Sequence, residues 1–384
     1  MFSTAEKQSA MKVPLIDLGP QHRLLREELL AAIQRVLDSQ QFVLGSEVRT
    51  FEEGIAKYCQ TQHAIGCASG SDALLLAMMA LDLKAGDEVI TSPFTFFATG
   101  AAIARVGATT VFVDIDPQTY NLDPDRVEAA ITQHTRAILP VHLYGQFADM
   151  TALMQIGRRR NLPVIEDAAQ AMGAECHGKR AGSIGLIGCF SFYPTKNLGG
   201  VGDGGILTTN DDDLAQRLKR LRVHGGRTEY EHAEIGINSR LDAIQAAVLA
   251  VKLRHVDEWS EHRRQRAEQY TELLEEAKLT EKVIPPFITA GSRHIFHQYV
   301  VRVAENRDAL MKHFATNGIS TKVYYPVPLH LQECFEYLGH RQGDFPNAES
   351  AALETMALPL FPEITQDQMA YVVNTIQSFF ESNS

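Results

Sequence analysis

The chain has 384 residues, beyond the size at which one hydrophobic core stops growing, so its length points to two domains. Its 45% hydrophobic and 22% charged residues are ordinary for a soluble globular protein, and a formal net charge of -11 argues against a binder of nucleic acid or of a membrane surface. Cys59, Cys67, Cys176, Cys189 and Cys334 lack metal-ligand spacing and fit a reducing, cytoplasmic compartment, and no stretch approaches the roughly 18 apolar residues of a membrane span.

Residues 1–12 read as a loose polar tail without the apolar stretch of a signal peptide. Apolar residues at helical spacing predict a helix over 22–37 and another over 48–58. A short strand, 64–67, runs into Ser69-Gly70-Ser71-Asp72 and an apolar helix to residue 83. Backbone N–H groups at such a strand-turn-helix junction form an anion site, to which Ser71 adds a hydroxyl; the alternative is a plain N-cap.

Strands follow over 88–92, 110–114, 137–143 and 163–165, separated by helices ending near 106, 131 and 160. Short apolar strands alternating with helices predict an α/β fold with a largely parallel sheet, whose ligands bind beyond the strand C-termini. Ser71, Phe96, His142, Asp167 and Gln170 all fall at such ends. Asp167 is either a helix cap or a carboxylate that stabilises a buried cation. Phe96 is either core or a lid on a flat cofactor. His142 is either a satisfied buried histidine or a ligand contact.

A strand over 187–193 leads into Tyr193-Pro194-Thr195-Lys196-Asn197-Leu198-Gly199-Gly200 and then Gly202-Asp203-Gly204-Gly205. A lysine packed among backbone and apolar groups loses proton affinity, as Schiff-base chemistry requires; the alternative is an ordinary surface lysine on a glycine-rich loop. Next come a strand over 206–209, a helix over 211–221, a polar loop over 224–236, a helix opening at 238–242 and a charged helix over 252–276. The last part reads as strand 298–303, helix 307–317, strand 322–326, and helices over 347–356 and 366–379. The expected division is a large domain over 13–255 and a small α/β domain over 256–384.

Six blocks in order carry a family resemblance: Ser69 to Leu74, Thr95 to Thr99, Glu166 to Gln170, Ser191 to Lys196, Gly236 to Leu241 and Tyr325 to His330. The chain resembles the DegT/DnrJ/EryC1/StrS family of sugar-nucleotide aminotransferases, fold-type-I enzymes that use pyridoxal 5'-phosphate. The resemblance implies a mostly parallel seven-stranded sheet between helices, followed by the small α/β domain. Lys196 would form the Schiff base and move the proton, and Asp167 would pair with the pyridine nitrogen. Phe96 would stack on the ring and Gln170 would reach its 3-hydroxyl side. Ser71, the Asp72 backbone and Ser191 would hold the phosphate, with Asn238 reaching it from a neighbouring subunit of a homodimer. L-glutamate would be the amine donor and a keto-sugar nucleotide the acceptor.

Tyr193-Pro194 and Asp203-Gly204-Gly205 look more like the group that aminates C3 than the C4 group, which more often has His-Ala and Glu-Gly-Gly there. A 4-keto substrate, or a regulatory protein keeping the fold, is the alternative. A dehydratase of this fold would have histidine in place of Lys196. Arg240, Lys322 and His330, with Arg227 behind them, are the candidates for the substrate diphosphate. His142, Tyr324 and Tyr325 complete the expected substrate set. Tyr324 stands where many relatives have histidine, and a tyrosine donates a hydrogen bond but is no base near pH 7. The expected nucleotide is dTDP, carrying a 3-keto-6-deoxyhexose, with UDP as the alternative.

Overall fold

The computed structural model describes residues 11–382, so residues 1–10 of the expected tail lie outside the described residues. Seven strands build the central sheet: β1 (His63–Cys67), β2 (Glu88–Thr91), β3 (Thr109–Phe112), β4 (Thr135–Leu139), β5 (Ile165–Asp167), β6 (Ile187–Ser191) and β7 (Gly205–Thr209). Their order across the sheet is β1-β7-β6-β5-β4-β2-β3, with β5 joined to the chain around β4 through the Ile138–Val164 and Val141–Asp167 bridges. Only β7 runs antiparallel to its neighbours. Ile65, Val89, Ile138, Ile165, Ile187 and Leu207 are wholly buried, the near-continuous apolar pattern of strands covered on both faces.

The helix Gly70–Ala80 is apolar on every side and buried, packed between the sheet and the helix Phe97–Arg105. The equally apolar helix Ala243–Leu253 packs on Arg26–Ser39 and Gly45–Tyr58, the latter through Val48, Phe51 and Ile55. A second core gathers Tyr270, Leu274, Leu310, Phe314, Val372 and Ile376 around the antiparallel pair Tyr299–Arg302 and Thr355–Leu358. Val13 belongs to this second core and bridges Ile319, so the chain's first described segment packs against its last third.

Several elements differ from expectation. The helix over 22–37 is two, Gly19–Leu24 and Arg26–Ser39, broken at Leu25. The polar loop over 224–236 contains a short hairpin, Gly226–Thr228 with Glu231–His232. The helix expected to open at 238–242 starts at Ala243. The segment 322–326 makes one bridge, Lys322 to Ala357, instead of a strand: Pro326 has no N–H to give a ladder, and the Tyr324 carbonyl is taken by the Tyr144 hydroxyl. The strand that fills that place is Thr355–Leu358, expected as the end of a helix that stops at Glu354.

Candidate active site

The site forms where the parallel strands end. After β1, Ser69 takes an extended conformation and its hydroxyl accepts from the N–H of Asp72 at 3.1 Å, capping Gly70–Ala80. Among the described residues the N–H groups of Gly70 and Ser71 have no partner, and they carry the positive end of the helix dipole. Gly70 lies so close to the end of β6 that a Cβ on it would stand 2.6 Å from the Cβ of Ser191. Two hydroxyls, of Ser71 and Ser191, thus meet bare N–H groups in a cup suited to a phosphate. Asp72 contributes differently from expectation: its N–H is spent on the cap, and its carboxylate accepts from Ser239 Oγ at 2.7 Å.

Asp167 ends β5, its backbone held between Pro140 and His142. Its side chain is buried and accepts from Thr99 Oγ1 at 2.7 Å and from the Ala169 N–H at 3.2 Å. Burial raises its carboxyl above the ordinary range, against the pull of those two donors and of Lys196. Such a carboxylate is matched by a cation brought to it, which a protonated ring nitrogen supplies.

Lys196 follows β6, partly buried, its N–H bonded to Tyr193 O at 2.8 Å. Loss of hydration lowers its ammonium to about 8, with Asp167 opposing. Phe96 presents an aromatic face that is 57% exposed beside Tyr325, ring centres 6.1 Å apart. Gln170 accepts from the Tyr144 N–H at 2.7 Å and donates to Tyr325 Oη at 2.9 Å, which leaves one amide N–H unused. A cup for an anion, a buried carboxylate, an uncovered aromatic face and a depressed lysine fit pyridoxal phosphate in charge and shape. Its phosphate would sit on Gly70, Ser71 and Ser191, its ring nitrogen on Asp167 and its ring against Phe96.

The structure corrects part of the expected substrate set. His142 is wholly buried: Nδ1 accepts from the Ala148 N–H at 3.3 Å, so Nε2 donates to Glu166 at 2.9 Å, and no polar atom remains for a substrate. His330 is buried too, with Nε2 against Glu349 Oε1 at 3.0 Å, and burial lowers its proton affinity, so it offers no cation to a diphosphate. Tyr325 sits with Gln170 and Phe96. Tyr324 is half-buried; its carbonyl accepts from the Tyr144 hydroxyl, and Lys322 Nζ lies 5.3 Å from its ring centre. Lys322, Arg227 and Asn238 are exposed and Arg240 is partly buried. Asn238 adjoins Ser239, which ties this segment to Ala68 and Asp72 beside the cup.

Three contributors had no assigned role. Thr99, one turn after Phe96, had a signal in being polar on an apolar helix. Glu166 accepts from Gly182, Ile184, Gly185 and His142, fixing the chain beside Asp167. His297 meets Asn197 Oδ1 at 3.2 Å next to Lys196, across a hundred residues that hide the contact from the sequence.

Comparison with known proteins agrees with this chemistry. Residues 23–377 match the DegT/DnrJ/EryC1/StrS aminotransferase family. A pleiotropic regulatory protein of Geobacillus stearothermophilus is 51% identical over 370 residues, covering 96% of this chain and 99% of that one. The dTDP-3-amino-3,4,6-trideoxy-alpha-D-glucose transaminase of Streptomyces venezuelae is 44% identical, covering 96% and 97%. The structure of S. venezuelae DesV in complex with a ketimine intermediate superposes with a TM-score of 0.93 at 42% identity, covering 96% of this chain and 99% of that one. By these matches over nearly its whole length, the chain belongs to the DegT/DnrJ/EryC1/StrS family and is a pyridoxal-phosphate-dependent aminotransferase.

Proposed function

We propose that this protein transfers the amino group of an amino acid, L-glutamate, to the ketone of a nucleoside-diphosphate-linked 3-keto sugar, giving the 3-amino sugar. The observation that carries the reading is Lys196 with its amine depressed to about 8, beside the buried Asp167. When bound, the cofactor supplies the electron sink for amino transfer. Asp167 would keep positive charge on the ring nitrogen. Lys196 Nζ, which gives up its proton more readily than an ordinary lysine, would take and return the proton at the carbon bearing nitrogen. Phe96 and Tyr325 would flank one face of the ring.

Tyr193-Pro194 and Asp203-Gly204-Gly205 support C3 over C4. Arg240 and Lys322 are proposed to meet the diphosphate, with Arg227 from the hairpin behind them. The S. venezuelae transaminase supports dTDP, and the UDP-sugar 3-aminotransferase of Acidithiobacillus ferrooxidans, 43% identical, supports the alternative UDP. Assays with dTDP- and UDP-linked 3-keto and 4-keto sugars and glutamate test the reading. Preferred turnover of a 4-keto sugar overturns the regiochemistry. The name of the Geobacillus relative favours one second reading, a regulatory role. Absence of turnover with all four sugars, in a protein that binds the cofactor, would support it.

The working form is proposed to be a homodimer, with Asn238 reaching the partner's phosphate cup. Around that segment Tyr230 and Ile235 are 89% and 91% exposed, and Phe42, Val43, Tyr193 and Val201 also expose apolar surface that a second copy would cover. A fully active monomer in sedimentation overturns this. A cytoplasmic location is supported by five unpaired cysteines and by the finding that, among the described residues, no helix is long and apolar enough to cross a membrane.

A further inference from the structure

The loop that carries Lys196 rests on the helix Ala243–Leu253, and two side chains of that helix hold it. Gln245 Oε1 accepts from the Val201 N–H at 2.9 Å, and its amide lies so close that a Cβ on Gly200 or Gly202 would stand 2.7 Å from it. Lys252, only 1% exposed, donates from Nζ to Gly199 O at 2.5 Å, three residues beyond Lys196. Gly199 in turn is pressed on Pro194, where a Cβ would stand 2.3 Å from the carbonyl oxygen. Bonds from Lys196 N–H to Tyr193 O and from Gly200 N–H to Phe192 O close the loop on itself at 2.8 Å each. A pull on Gly199 is therefore transmitted across one tight turn to the lysine.

A buried ammonium is a costly way to satisfy one carbonyl. It surrenders its hydration, and an apolar side chain of similar length would fill the space without that loss. Trp259 compensates in part, its ring centre 6.0 Å from Nζ. A titratable neighbour is His22, whose buried Nε2 has no partner among the described residues and whose proton affinity is lowered by burial and by Lys252. No part of the site described above uses Lys252, so packing alone leaves its presence unexplained.

We propose that Lys252, assisted by Gln245, is a positioning residue that holds the Lys196 loop through the Gly199 carbonyl and so keeps the reactive amine beside Asp167. The idea rests on Lys196 being the reactive lysine, and its test separates the two. In the cofactor-free chain, competitive acetylation at a series of pH values, read by peptide mass spectrometry, reports the midpoint of Lys196 directly. The groups facing Lys196 are Asp167 and His297. In the wild type the midpoint is expected near 8. In Lys252→Met the loosened amine regains water, so its midpoint moves up by about one unit toward the ordinary lysine value. In the loaded enzyme kcat falls about tenfold with KM for glutamate nearly unchanged. Lys252→Gln, which keeps a donor, is expected between the two.

A folded Lys252→Met protein with wild-type midpoint and kcat overturns the proposal. So does a loss of kcat that only follows the folded fraction with the midpoint unmoved. If Lys252→Met does not fold, Gln245→Ala carries the same test in the same direction. A Lys196→Ala protein that still transfers amino groups overturns the function itself and leaves the midpoint measurement on the wild type intact.

Discussion

Lys196 and Asp167 set the most direct expectations. Lys196→Ala should abolish amino transfer, by about a thousandfold or more, and remove the visible absorbance of the lysine-bound cofactor. Only the neutral amine attacks an aldehyde, so capture of pyridoxal phosphate by the cofactor-free chain should accelerate as pH rises through about 8. Stopped-flow absorbance measures this, and a rate that is flat from roughly pH 6.5 to 9.5 contradicts the depressed lysine. Glu166 predicts stability. Burial alone would raise its carboxyl, but His142 and the N–H groups of Gly185 and Gly182 hold it below the ordinary range. A carboxylate depressed in the folded state contributes stability above its unfolded value, near 4.3, and loses it as pH falls through the folded value. Glu166→Gln should therefore lower stability by about 3 kcal/mol near pH 7 in denaturant unfolding, with the gap from wild type narrowing in acid. The proposed reactive residues stand out in the sequence because each is an unusual type at a strand end. Glu166 does not, since adjacent Glu and Asp on a strand point to opposite faces and nothing local says which face meets His142.

Among the elements, the helix Gly70–Ala80 matters through its first turn. Gly70→Ala would drive a Cβ to 2.6 Å from that of Ser191, forcing the two walls of the cup apart. The fold should survive, with about 1–3 kcal/mol of strain, and affinity for pyridoxal phosphate should fall about tenfold or more by fluorescence titration. Wild-type affinity in that variant contradicts the cup. The sheet strands were readable to within a few residues because they are short apolar runs between turn residues. Thr355–Leu358 was missed for a physical reason: Ala351, Ala352 and Met356 continue helical spacing, and only tertiary pairing with Tyr299–Arg302 decides for strand. The segment 322–326 is the reverse case, β-branched and aromatic by composition but lacking a continuous partner.

At the scale of the molecule, the proposed assembly makes a sharp prediction. Ile235→Asp places a charge in the apolar patch around Asn238 and should convert the dimer to monomer in sedimentation, with cofactor affinity falling as Asn238 loses its reach. A dimer of unchanged strength locates the interface elsewhere. The proposed division into residues 13–255 and 256–384 is supported by the second core, although Val13 packs there and ties the chain's beginning to its end. Finally, β7 lies between β1 and β6, and its first residue, Gly205, is pressed on the Ser69 backbone. During synthesis the proposed anion-binding turn after β1 is made well over a hundred residues before the strand that pairs with β1 emerges. At about 5–20 residues per second, that leaves the edge of β1 unpaired for roughly 7 to 27 seconds on the ribosome. Ribosome-bound chains halted before residue 205 should therefore expose β1 to chaperones and fail to retain the cofactor, which makes its capture a late marker of completed folding.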